Sequence, residues 1–176
     1  MKMKIRMAMT TFLFLALFFF LQYSTAAAEI FCVANSAELQ SALTAAQSNG
    51  YDDTIKIVEG SYIGNFVYNS SEPSSLTIEG GYSTDCSSRT GFPGNTVLDA
   101  NGTGTVLKIT ALLDAIVDGI TLQNGSNSGL IASLGRDFLL SNCKIQNNAG
   151  GNGGGAGISA KKIDVLNNTI IYNVAV

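Results

Sequence analysis

Four acidic residues recur at nearly regular intervals, each directly after an apolar residue. They are Glu59, Glu79, Asp99 and Asp118, in the tripeptides VEG, IEG, LDA and VDG. If each tripeptide lies at the same point of a repeating unit, the carboxylates form a column spaced by about 5 Å. Such a column would raise carboxyl pKa values or bind a divalent cation, which predicts a calcium-binding or substrate-facing stripe. The alternative is that acid followed by glycine marks a turn, where the side chains bond local backbone amides and face solvent.

Other residues suited to acid, base or sugar-binding chemistry are few. The chain contains no histidine, and Arg89 and Arg136, the arginines after residue 28, stand in no recognisable motif. No catalytic residue is therefore assigned, and an enzymatic activity is not favoured. Exposed aromatic rings would stack on a sugar, whereas buried ones would pack in a core. Both interpretations stay open for four clustered rings: Tyr62, Phe66, Tyr68 and Tyr82.

The acidic tripeptides belong to a longer repeat that predicts the fold. An apolar residue followed by a polar pair recurs at intervals of about 19 to 26 residues, with apolar members Val58, Ile78, Leu98, Val117, Leu140 and Leu166. This spacing is typical of a β-solenoid, whereas a β-sandwich would need hairpin turns between neighbouring strands. We expect an all-β fold, a right-handed single-stranded parallel β-helix of about six coils over residues 51–176.

The last three copies of the repeat, IVDGITLQN, LLSNCKIQN and VLNNTIIYN, align without gaps. Alternation in their second strand points three pairs of side chains to the interior: Ile120 and Leu122, Cys143 and Ile145, Thr169 and Ile171. The closing residues Asn124, Asn147 and Asn173 then fall at one place in successive coils. Side-chain amides at that place would form a ladder along the axis.

Residues 29–50 are expected to cap the first coil. Asn35 with Glu38 has the spacing of a capping box, and apolar residues follow at helical spacing until Asn49-Gly50. A short helix over residues 37–48 would cover the open edge of the first coil with its apolar stripe. The alternative is an ordinary surface helix.

The stretch LTIEGGY…NTVLDANGTGTVLKI, preceded by a cap segment, resembles the pectin-lyase-like superfamily of right-handed β-helices, in particular its bacterial secreted members. The resemblance covers roughly residues 30–176. The segment GGNGGGAGI at 150–158 is also similar to the GGA-type repeats of polymorphic outer-membrane proteins and related surface adhesins. The resemblance implies a fold more strongly than an activity, because this scaffold carries lyases, hydrolases and adhesins. No catalytic residue of the superfamily is carried over, because none of its aspartate, histidine or arginine motifs is matched.

Residues 1–28 have the pattern of a cleavable signal peptide. Lys2, Lys4 and Arg6 precede an apolar run, and Ala26-Ala27-Ala28 supplies the small residues of a cleavage site. An uncleaved membrane anchor is the alternative. Without the three basic residues of this leader, the rest of the chain has seven Lys and Arg and 13 Asp and Glu. Its formal charge is therefore about −6. We therefore expect a secreted or cell-surface protein with no nucleic-acid partner.

Three cysteines follow the leader, in a chain expected to reach an oxidising compartment. Cys32 and Cys86 lie in terminal or turn-rich surroundings, which favours a disulfide between them. Cys143 lies inside an apolar repeat unit, where a small thiol packs well. Three free thiols are the alternative.

Together these patterns predict a secreted or cell-surface β-helix module, not an enzyme, that is adhesive or binds a polysaccharide or another cell-surface component. The alternative is the N-terminal part of a polysaccharide lyase or glycoside hydrolase acting on a uronate-rich polysaccharide. No cofactor is expected apart from calcium at the carboxylate column. The end at Val174-Ala175-Val176 offers no polar cap, so further C-terminal coils are expected to be missing. The alternative is that the last coil pairs with a partner.

Overall fold

The computed structural model describes residues 28–151 and 154–175. The predicted signal peptide therefore lies outside the described residues, except for Ala28. The helix is α1 (Ser36–Ala46), and a short 3₁₀ turn spans Pro93–Asn95. The strands are β1 (Glu29–Val33), β2 (Asp53–Val58), β3 (Gly60–Ile63), β4 (Phe66–Asn69), β5 (Leu76–Tyr82), β6 (Thr96–Asp99), β7 (Thr105–Ala111), β8 (Ala115–Asp118), β9 (Thr121–Gln123), β10 (Ser128–Leu134), β11 (Asp137–Ser141), β12 (Lys144–Gln146), β13 (Ala156–Ser159), β14 (Lys162–Leu166) and β15 (Thr169–Ile171).

The strands form three parallel sheets that wind as a β-solenoid of about six turns. Sheet A has the order β1-β2-β5-β8-β11-β14, sheet B the order β3-β6-β9-β12-β15, and sheet C the order β4-β7-β10-β13. A typical coil runs through one strand of sheet A, one of sheet B and one of sheet C. Each inner strand therefore pairs with its equivalents in the coils before and after it, and the predicted parallel architecture is confirmed.

Like side chains stack inside the solenoid, because each coil presents the same face of its strands inward. In sheet A the register joins Ile55, Ile78, Val117 and Leu140. These residues are buried, as are Leu98, Leu122 and Ile145 of sheet B. One continuous apolar core follows along the axis, and burial of its side chains drives the folding of coils that lack hairpins.

The six-member apolar repeat is only partly the register of one sheet. Leu98 lies in β6 of sheet B, not in sheet A, and pairs with Tyr62 and Leu122. Ile55, not Val58, pairs with Ile78. The 20-residue interval from Ile78 to Leu98 is not one full coil of sheet A, because residues 83–95 form a long insertion between β5 and β6.

The alignment of the last repeat is wrong by one residue. Val165, not Leu166, pairs with Leu140, and Ile170 pairs with Ile145. Ile170 therefore continues the interior column, whereas Thr169 and Ile171 pair with the outward Lys144 and Gln146. Because the strand period is two, a slip of one residue exchanges the inner and outer faces.

Helix α1 covers the first coil much as the sequence indicated. The Asn35 side chain accepts a hydrogen bond from the Glu38 N–H (3.0 Å), and Glu38 in return accepts one from the Ala34 N–H (2.8 Å). The helix thus begins one residue earlier and ends two residues earlier than predicted. Its buried side chains are those of the expected stripe: Leu39, Ala42, Leu43 and Ala46. The segment expected to form the cap also contributes β1, which extends sheet A.

Candidate functional site

The four predicted carboxylates do not form one column. Glu79 and Asp118 are register partners in sheet A, but Asp99 lies in sheet B and pairs with Gln123. Glu59 lies between β2 and β3, where it accepts hydrogen bonds from residues of the 83–95 insertion. Among the residues that the structure describes, no three His, Cys, Asp or Glu side chains are placed to hold a metal ion together. The single column on which the calcium hypothesis depended is therefore absent.

Glu79 and Asp118 instead hold an arginine of the insertion. Arg89 forms an ion pair with Asp118, lies 3.7 Å from a Glu79 carboxylate oxygen, and donates to the Gly80 carbonyl (2.9 Å). Asp118 also accepts hydrogen bonds from the side chains of Ser141 (2.5 Å) and Asn142. Burial raises the pKa of Asp118, but these hydrogen bonds outweigh it and hold the pKa below its ordinary value.

A tyrosine and a disulfide fix the same insertion. The Tyr82 ring lies 5.1 Å from the Lys56 ammonium group and 5.6 Å from the Arg89 guanidinium group, and its hydroxyl donates to Glu79 (2.5 Å). Cys86 of the insertion is bonded to Cys32 of β1 as a disulfide. This charged cluster therefore fastens the insertion to sheet A, with its ionised groups bonded to one another.

The remaining cysteine and the clustered aromatic residues belong to the interior. Cys143 is a free, buried thiol, and burial raises its pKa to about 12. The four aromatic side chains are also buried, so they serve packing and form no exposed platform for sugars: Tyr62, Phe66, Tyr68 and Tyr82.

Asp99, the remaining predicted carboxylate, accepts hydrogen bonds from side-chain amides on the outer side of sheet B. Its Oδ2 accepts from the side chains of Gln123 (2.8 Å) and Asn124 (2.9 Å), and its Oδ1 from the Asn101 N–H (2.7 Å). Gln146 continues the row by donating to Gln123 (2.9 Å). Burial alone would raise the pKa of Asp99, but its hydrogen bonds with Gln123, Asn101 and Asn124 have the larger effect. The pKa of Asp99 therefore lies below its ordinary value.

Next to this row lies an open groove where the chain turns from sheet B to sheet C. We call it the B–C groove; its volume is about 490 Å³. All its lining residues are uncharged: Asn101, Gly102, Asn124, Gly125, Ser126, Asn147 and Ala149. Among the hydrogen bonds of the described residues, none engages the side chains of Asn101, Ser126 or Asn147. The groove thus presents amide and hydroxyl groups that can donate and accept hydrogen bonds.

The backbone explains why asparagine lines this groove. Asn124 and Asn147 have φ values of 58° and 55°. They directly follow β9 and β12, at the turns that end these two strands of sheet B. This left-handed conformation is open to glycine and, among other residues, most readily to asparagine. Asn124 and Asn147 therefore turn the chain and line the groove. Among the hydrogen bonds of the described residues, none joins their side chains to each other or to Asn173, as the predicted ladder required.

Amides do bond from coil to coil, but at the following position. Asn173 accepts from the Asn148 N–H (3.1 Å) and donates to the Ile145 carbonyl (2.9 Å). Asn148 repeats this arrangement one coil earlier, with the Gly125 N–H (2.8 Å) and the Leu122 carbonyl (3.2 Å). The sequence thus predicted Asn173 as a ladder residue. It did not predict Asn148, because the repeat assigned the ladder position to the neighbouring Asn147.

A second position of the same kind lies where the chain turns from sheet A to sheet B. Asn168 accepts from the Cys143 N–H (2.7 Å) and donates to the Leu140 carbonyl (2.8 Å). Asn167 before it adopts φ 56°. The Asn-Asn pairs at 147–148 and 167–168 were the sequence signal for these positions.

No helix of the described residues is long and apolar enough to cross a membrane. Comparison with protein-family models, curated proteins and solved structures found no match to this chain. The structure shows a parallel β-solenoid of about six turns, which is consistent with a β-helix fold.

Proposed function

We propose that this chain is an exported, non-enzymatic β-solenoid module that binds a polysaccharide of the cell surface through the B–C groove. The observation that carries the proposal is the set of unengaged polar side chains of Asn101, Ser126 and Asn147 in that groove. Sugar hydroxyls donate and accept hydrogen bonds, and side-chain amides do the same, so the two are matched partners.

The scaffold beneath the groove favours binding because it holds the polar groups in place. Asn124 is fixed by Asp99, and the turn around Gly125 is fixed by Asn148 from the next coil. A site on a rigid frame loses little conformational entropy when it binds, so more of the contact energy appears as affinity.

Export is part of the same proposal and is supported by the leader-like residues 1–28 and by the Cys32–Cys86 disulfide. Disulfides form and persist in oxidising compartments. The alternative, a lyase or hydrolase, has less support, because Arg89, Glu79 and Asp118 are bonded to one another and hold the insertion.

Binding can be tested with the exported protein by affinity electrophoresis through gels that contain soluble polysaccharides. Asn147→Gly removes a groove amide while glycine keeps the left-handed turn. Each lost hydrogen bond is worth about 0.5–1.5 kcal/mol, so we expect affinity to fall roughly two- to tenfold.

Asn167→Gly is the matched control, because it makes the same change at φ 56° where the chain passes from sheet A to sheet B, outside the groove. It should bind like the unaltered protein. Retardation by none of the polysaccharides, or equal retardation of Asn147→Gly and the unaltered protein, would contradict the proposal.

A further inference from the structure

We infer that the ligand of the B–C groove is a neutral polysaccharide whose chain runs along the solenoid axis. The inference rests on the proposed function and adds the charge of the ligand and its direction. It depends on what lines the groove, what lies beside it, and how its polar groups are spaced.

The charge distribution at the groove selects against anionic sugars. No lysine or arginine is among the lining residues. The charged group bonded to the lining is the Asp99 carboxylate, which accepts from Asn124 and from the Asn101 N–H. A uronate in this open groove would lie near the Asp99 carboxylate with no lining cation to pair with, and like charges repel. Neutral hydroxyls meet no such barrier.

The spacing of the amides selects the direction of the ligand. Asn101, Asn124 and Asn147 follow β6, β9 and β12, which are neighbouring strands of sheet B in three successive coils. Neighbouring strands lie about 4.8 Å apart. One pyranose ring of an extended chain advances by a similar length, so a chain laid along the axis meets one amide with each ring. A chain laid across the axis would meet one or two.

The kind of contact predicts how affinity grows with ligand length. No aromatic side chain is among the lining residues of the groove, so its contacts with the ligand are hydrogen bonds without ring stacking. Each such bond contributes little, and useful affinity requires several rings bound at once. We expect affinity to rise with oligosaccharide length until the three coils are filled, at about three rings, and then to level off.

The test compares three soluble polymers on the exported full chain: a mixed-linkage β-glucan, a linear galactan and polygalacturonate. Affinity electrophoresis ranks them, and calorimetry with oligosaccharides of two to six rings gives the length dependence. We expect the apparent Kd for at least one neutral polymer, taken from the retardation, to be at least tenfold lower than the apparent Kd for polygalacturonate. Asn147→Gly should weaken this retardation roughly two- to tenfold.

A gain-of-function variant tests the charge argument separately. Ser126 is exposed and lines the groove, so Ser126→Lys adds a cation without removing a described contact. It should gain binding to polygalacturonate that weakens at high salt. Ser133→Lys, an exposed position on sheet C away from the groove, is the matched control and should not gain it.

The outcomes separate this inference from the proposed function. If polygalacturonate binds as well as the neutral polymers and Asn147→Gly weakens that binding, the neutral ligand is wrong and the binding function stands. If affinity does not depend on length beyond two rings, the axial direction is wrong. If none of the polymers binds, or Asn147→Gly changes nothing, the inference and the proposed function both fail.

Discussion

At the scale of single residues, the Asn-Asn pairs divide two tasks between identical side chains. The first asparagine, Asn147 or Asn167, takes the left-handed conformation that turns the chain. The second, Asn148 or Asn168, bonds backbone groups of the preceding coil through both its oxygen and its nitrogen. The side-chain amide of the first kind has no hydrogen-bond partner among the described residues, and the second kind holds consecutive coils together.

This division predicts opposite effects of two neighbouring substitutions. Asn148 is buried, and Asn148→Ala removes the partners of the Gly125 N–H and the Leu122 carbonyl. We expect it to lower the free energy of unfolding by about 1–3 kcal/mol in urea titrations. Asn147→Gly, which keeps the turn, should change it by less than about 0.5 kcal/mol. Equal effects of the two variants would refute the division of tasks.

A buried carboxyl group at the start of β2 predicts a dependence of stability on pH. Asp53 accepts a hydrogen bond from Asn49 (2.8 Å), but its second oxygen has no partner among the described residues. Burial first, and then the charges of Glu29, Asp52 and Glu72, raise the pKa of Asp53 in the folded chain, although the Asn49 hydrogen bond opposes this. Folding thus favours the protonated carboxyl. Its contribution to stability is full below the ordinary pKa of 3.8 and is lost as pH rises through the raised value.

Asp53→Asn should therefore raise the melting temperature at pH 7 and reduce the loss of stability between pH 4 and 7. Thermal unfolding followed by circular dichroism at several pH values measures both effects. Asp137→Asn, at an exposed carboxylate of sheet A, is the control and should leave the pH profile unchanged. A lower melting temperature for Asp53→Asn at pH 7 would show that the ionised group is stabilising.

At the scale of elements, the sequence was sufficient for the solenoid and insufficient for its register. Short apolar strands at intervals near 20 residues, with turn residues between them, indicate parallel coils, and the capping sequence from Asn35 located helix α1. Spacing alone could not show that residues 83–95 are an insertion, so the repeat grouped Leu98 of sheet B with residues of sheet A. The sequence also could not show which asparagine of an Asn-Asn pair turns the chain, because the two residues are identical in type.

The insertion is the element whose anchoring can be tested most directly. The disulfide joins the insertion to β1 across 54 residues of sequence. Arg89 of the insertion forms an ion pair with Asp118 of sheet A. Replacing Cys32 and Cys86 with serine should cost about 2–5 kcal/mol and speed proteolysis within residues 83–95. Urea unfolding and limited proteolysis with mapped cleavage sites measure the two effects.

Thiol counting supplies the control for this prediction. The unaltered protein should show no reactive thiol when folded, because Cys143 is buried, and one thiol when unfolded without reductant. Three thiols in the unfolded, unreduced protein would mean that the disulfide does not form.

At the scale of the whole molecule, stability comes from the contacts of each coil with its neighbours. In solenoids, folding energy is approximately a sum of the energies of single repeats and of the interfaces between adjacent ones. An inner coil has two such interfaces and the last described coil has one. The side chains of β14 and β15 show this difference, since Ile163, Val165 and Ile170 are exposed by 42%, 48% and 48%.

Two isoleucines of sheet B make this argument quantitative, because they are register partners in adjacent coils. Ile145 is fully buried, whereas Ile170 is 48% exposed. Ile145→Ala removes contacts with both neighbouring coils and leaves a cavity, so it should cost about 2–5 kcal/mol. Ile170→Ala loses contacts on one side only and should cost less than half as much. Urea unfolding of both variants measures the difference, and equal losses would mean that the coils are not stabilised through their neighbours.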